Sequence, residues 1–151
     1  MKSLLILMVV MVSFGCVGMK TQEPVEICQE FPGDSLLEKY VPDLRTASTL
    51  IKLSVYEVSK LKQVQKEDII KVLDETQLLA EKSTYNDFAV YLMAQIKWIQ
   101  KNMGPEIAII GDDLLAFQNV NQPVSPRDQC YIKYQITDIR TKVLPWIPAK
   151  K

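Results

Sequence analysis

No histidine occurs anywhere in the 151 residues. Its absence removes Ser-His-Asp and Cys-His nucleophilic catalysis, histidine-ligated zinc and haem, and the usual proton shuttle near neutral pH. Glycine is sparse as well: there are five, and none forms part of a phosphate-cradling Gly-rich loop. No serine stands in a Gly-x-Ser-x-Gly setting, and the alternating acids of a calcium loop are missing. The chain has no charge bias either. Its 18 basic and 18 acidic residues cancel, and no basic cluster marks a nucleic-acid surface. The expectation is therefore a protein with no catalytic residue, no metal, no cofactor and no nucleic-acid partner.

Carboxylates are the remaining route to chemistry, and their spacing argues against it. Asp112 and Asp113 are adjacent, so on a helix they point about 100° apart and cannot share a proton as a dyad. Glu67-Asp68 and Asp74-Glu75 read as solvated faces. An envelope hydrolase assembled from two carboxylates on different helices is the least favoured reading.

What is present begins at the N-terminus. Lys2 precedes an uninterrupted apolar run from Leu4 to Val12, and small residues follow. This is the pattern of a secretory signal peptide over residues 1–15, short for a membrane span. Its removal takes away one cation, Lys2, and moves the net charge from zero to −1. The stretch Val12-Ser13-Phe14-Gly15-Cys16 resembles the lipobox of bacterial lipoproteins. Gly15 fits that pattern well, whereas Ser13 and Phe14 stand where leucine and a small residue are commonest. The resemblance implies that Cys16 is acylated, becomes the mature N-terminus and tethers the protein to the outer membrane. Simple cleavage and release into the periplasm or medium is the alternative.

Three cysteines in an exported chain leave one odd thiol. Lipid on Cys16 would leave Cys28 and Cys130 as a pair, in a compartment that permits disulfides. A bond between them closes a loop for which the chain-entropy account gives about 4.7 kcal/mol, less any strain. Two unpaired buried thiols would be the other outcome.

Residues 16–33 contain Gly18, Pro24, Pro32 and Gly33 and little periodicity, and read as a tether. Residues 34–148 read as one all-α domain, a compact bundle of about five helices, and residues 149–151 as a tail. Asp43–Lys62 carries Leu44, Ala47, Ile51, Val55, Val58 and Leu61 at helical spacing. Glu67–Lys82 opens with acids and repeats Ile69, Leu73, Thr76 and Ala80. Thr84-x-x-Asp87 resembles a capping box at the head of a third helix. Between Phe88 and Ile99 that helix has only Gln95 and Lys97 as strongly polar residues, which predicts a position inside the bundle. Pro105–Gln118 places Ile107, Ile110, Leu114 and Phe117 on one stripe, with Gly111 as its weak point. Ser125-Pro126-x-Asp128 marks the last helix, which Pro145 ends.

Two groups of aromatics could bind something. Phe88, Tyr91 and Trp98 on the third helix, with Tyr134 on the fifth, could line a ligand pocket, although core packing is the commoner role. Trp146 and Ile147 lie between prolines and could form an apolar anchor for a partner. Together these features predict a membrane-tethered helical interaction module of the bacterial cell envelope that binds a protein partner. In architecture it resembles the small helical outer-membrane pilotins of secretion systems, and surface-exclusion and inhibitor lipoproteins share that plan. The alternative is a periplasmic carrier of a small apolar ligand.

Overall fold

A computed structural model describes residues 24–41, 43–103 and 108–149. The leader, Cys16, Pro105, Ile107 and the tail lysines lie outside them. Among the described residues there are seven α-helices: α1 (Pro24–Cys28), α2 (Leu36–Tyr40), α3 (Leu44–Val58), α4 (Lys66–Lys82), α5 (Tyr85–Met103), α6 (Ala108–Leu114) and α7 (Pro126–Lys142). Short 3-10 turns, Leu115–Phe117 and Leu144–Trp146, follow α6 and α7. The described residues contain no strand, and the domain is an all-α bundle. The five helices of seven residues or more match the five predicted segments.

Capping chemistry sets the helix starts. Asp43 caps α3 by accepting from the Thr46 N–H at 2.9 Å. At the head of α4 the Asp68 carboxylate accepts from the Gln65 N–H at 2.8 Å. Ser125 caps α7 through the Asp128 N–H at 3.2 Å, with Pro126 in the first turn as expected. The head of α5 uses a different device. Its first free N–H groups, on Tyr85 and Asn86, donate to the Gln122 and Val120 carbonyls of the loop before α7. The Asp87 N–H donates to Thr84 Oγ1 at 3.2 Å, which is the capping contact the sequence predicted.

Helices α4, α5 and α7 enclose the core, in which Leu73, Ala80, Phe88, Ala89, Ile132, Ile136 and Ile139 are buried. At one end Phe117 stacks on Tyr85, with ring centroids 5.6 Å apart, and meets the edge of Tyr40 at 5.5 Å. Helix α5 departs from expectation, because its apolar girth is not fully covered. Val90 is 51% exposed and Trp98 39%. No described helix is long and apolar enough to cross a membrane.

Cys28 and Cys130 are joined, with Cα atoms 5.7 Å apart across 102 positions of sequence. The bond fixes α1 to α7, so the segment read as a tether contains a helix held against the bundle. Helix α2 was not foreseen, although Ser35-x-x-Glu38 carries a helix-start signal.

Two glycines make opposite predictions. Gly33 has φ +100°, and an added Cβ would come within 3.0 Å of the Ser125 Cβ. Gly33→Ala is expected to lower unfolding stability by more than about 1 kcal/mol. At Gly111 an added Cβ meets only Ile96 Cγ2, at an ordinary 3.6 Å. Gly111→Ala should raise stability by about 0.5–1 kcal/mol through helix propensity. Urea denaturation of the two variants checks both signs.

Candidate functional site

The first turn of α7 organises one end of the molecule. Asp128 is 0% exposed, and its carboxylate is surrounded by donors. Oδ1 accepts from the Ser35 hydroxyl at 2.5 Å. Oδ2 accepts from the Leu36 and Leu37 N–H groups at 2.9 and 3.1 Å and from the Tyr85 hydroxyl at 2.6 Å. The Tyr85 oxygen in turn accepts from the Ser125 N–H at 3.0 Å. Burial, together with the Asp128 carboxylate that its proton serves, pushes the Tyr85 phenol up to about 12. The carboxylate thus caps α2 from another helix, at the point where the head of α7 meets it. Next to it, Arg127 donates to the Gln29 and Phe31 carbonyls at 3.3 Å each. Three successive elements of the N-terminal segment are therefore held by Arg127, Asp128 and Cys130.

A polar seam joins α3 to α7. The Tyr131 hydroxyl donates to the Leu44 carbonyl at 3.1 Å, Ser48 bonds Gln135, and Lys52 meets Asp138 at 2.5 Å. Both chains of partners rise together, so the two helices run parallel. Lys142 also reaches Asp138, at 2.6 Å. Burial pushes the Asp138 carboxyl up, but the hydrogen bonds from Lys142 and Lys52 outweigh it and hold it below the usual range. Tyr131 is pushed up by burial and by the Asp43 charge.

The four aromatics read as a pocket do not converge. Phe88 is buried in the core. Tyr91 donates to Glu75 Oε2 at 2.7 Å, and burial with that carboxylate pushes its phenol up. Tyr134 lines a shallow groove of ≈ 450 Å³ beside Cys130 and Phe31. Trp98 alone lines the larger groove, of ≈ 500 Å³, between α3, α4 and α5. Trp146 and Ile147 also separate: Ile147 is 4% exposed and belongs to the core, while Trp146 is 77% exposed. An anchor built on both residues is thus corrected to one built on Trp146, because the turn after α7 folds Ile147 inward.

The larger groove is apolar. Val55 and Val58 of α3, Ile69 and Val72 of α4, and Trp98 and Ile99 of α5 form its walls, closed by Val64. Gln63, Asp68 and Gln95 complete the lining, and the Asp68 carboxylate already accepts the Gln65 N–H. Every wall comes from the end of the bundle away from Asp128: the last turns of α3, the first of α4 and the late turns of α5. Trp98 lies thirteen residues beyond Tyr85, about 20 Å along α5. Trp146, past the C-terminus of α7, belongs to the same end. Neither buried carboxylate, Asp128 or Asp138, lines either groove. Among the described residues no three metal-ligating side chains gather.

Compared with protein-family models, curated proteins and solved structures, the chain matches none. The case for function therefore rests on these two ends of the bundle.

The donor set around Asp128 makes a graded prediction. Asp128→Asn replaces an acceptor with an N–H donor among groups that all donate, and should lower stability by about 3 kcal/mol or more. Tyr85→Phe removes one of the four donors and should cost about 1–2 kcal/mol. Equal small losses in denaturant titrations of both variants would contradict this account.

Proposed function

We propose that the chain is a membrane-tethered helical interaction module of the bacterial envelope. Its apolar groove would receive an amphipathic segment of a protein partner. The observation that carries this reading is the position of the groove. The disulfide and the Asp128 hub fasten the N-terminal segment at one end of the bundle, and the groove opens at the other. A chain anchored through lipid on Cys16 would thus present the groove away from the membrane.

The chemistry of the walls favours a protein segment over a small molecule. Small-ligand sites enclose most of their ligand and orient it with a few converging polar groups. This groove is open along one side, and its lining is mostly aliphatic side chains beside one indole, with Gln63, Asp68 and Gln95 among them. Such a surface suits the apolar stripe of a helix, and a half-exposed tryptophan is the kind of residue that anchors it. The alternative, a carrier of a small apolar ligand, would use the same walls.

A photoreactive residue placed at position 98 in the membrane-extracted full chain separates the two readings. The expected product is a discrete adduct between position 98 and a protein other than this chain, and none from Glu81, which lies on the other groove. Intact mass should show diacylglycerol on a chain starting at Cys16 and two added hydrogens on reduction. A small-molecule adduct at position 98 would favour the carrier, and a chain beginning at Met19 or later would refute the anchor.

A further inference from the structure

The outward face of α5 carries a pattern of which the groove uses only Trp98. Asp87, Val90, Ala94, Trp98 and Lys101 are all exposed. At 100° per residue they fall within about 40° of Ala94 around the helix. They form a narrow stripe, apolar in the middle and charged at both ends, negative at Asp87 and positive at Lys101. Among the described residues Lys101 has no ion-pair partner.

The order of residues along this stripe is self-complementary. Ala94 is its midpoint, Val90 and Trp98 stand four positions to either side, and Asp87 and Lys101 seven to either side. If a second α5 is laid antiparallel on the first, with a two-fold axis at Ala94, every pair is matched. Val90 then meets Trp98 of the other copy, and Asp87 meets Lys101, each twice by symmetry. Alanine at the crossing lets the helices approach at the short end of the usual 8–10 Å range. The reverse, parallel arrangement would place Asp87 against Asp87 and Lys101 against Lys101. We infer that the exposed face of α5 is a homodimer interface, an antiparallel α5–α5 seam centred on Ala94 and closed by two Asp87–Lys101 ion pairs. This goes beyond the proposed partner groove, and because both would cover Trp98, dimerisation and partner binding would compete for that side chain.

A single helix pair makes a small interface, of the weak and transient class in solution. Apolar matching supplies the attraction, while the terminal charges choose the antiparallel register over its competitor.

Charge reversal tests the seam. The full chain, extracted in one mild detergent, is followed by sedimentation velocity over a concentration series, with circular dichroism to confirm that each variant folds. Wild-type protein should show a reversible monomer–dimer equilibrium. Asp87→Lys and Lys101→Glu each set like charges against one another twice and should weaken dimerisation about tenfold. The double variant D87K/K101E restores opposite charges at both ends and should return to near the wild-type constant. Asp87 also accepts from Ser83 at the head of α5, so Lys101→Glu is the cleaner single variant. A wild-type chain that stays monomeric throughout, a Lys101→Glu variant that dimerises like wild type, or a double variant that stays as weak as the singles would each overturn the inference.

Discussion

A carboxylate removed from water must be surrounded by donors or it unfolds what holds it, and this requirement shapes the whole molecule at Asp128. Its four donors come from two distant places in the chain, Ser35 with the two amides of α2 and Tyr85 at the head of α5, while its own helix α7 positions it. None of these elements could shift by an ångström without leaving a charge unsatisfied in the interior. Helix α2, five residues long, would be too short to persist alone. It exists because its free N–H groups have a charged acceptor waiting on another helix. The disulfide two residues further along α7 acts on the same joint by covalent means.

With one end so tightly specified, the rest of the bundle divides its labour. The α3–α7 contact is a seam of polar contacts, in which Tyr131, Gln135 and Asp138 meet the Leu44 carbonyl and the Ser48 and Lys52 side chains. The aliphatic core lies between α4, α5 and α7. The far end, at the last turns of α3, the first of α4 and the late turns of α5, is not completely filled. It leaves the groove with Trp98 at its edge and the isolated Trp146 at the same end. The fixed end and the open apolar end are about 20 Å apart along α5.

Much of this architecture was legible as pattern. The helical stripes of α3, α4 and α7 follow from period 3.6, and Ser125-Pro126 marks the head of α7 to the residue. Cysteine parity, with Cys16 set aside by its resemblance to a lipobox cysteine, left Cys28 and Cys130 as a pair, which the structure joins. What escaped is what pairwise patterns do not encode. Asp128 reads as an ordinary first-turn acid, because nothing local reveals that its side chain turns toward a helix more than 90 positions earlier. The apolar girth of α5 reads as burial on all sides, yet Val90 and Trp98 remain uncovered. Phe88 and Trp98 share a helix but serve the core and the groove, since ten residues along a helix turn the side chain by about 80° and carry it about 15 Å along the axis. Ile147 is turned inward by a 3-10 turn that the bracketing prolines permit but do not announce.

The central claim is that one buried carboxylate holds the N-terminal segment to the bundle, and amide hydrogen exchange reads it directly. The first N–H groups of a short helix ordinarily exchange at nearly the rate of free peptide. If Asp128 caps α2, the Leu36 and Leu37 amides should instead be protected to the level of the core amides of α7 and exchange only through global unfolding. Fast exchange at Leu36 and Leu37 in a protein whose α7 core remains protected would contradict the account.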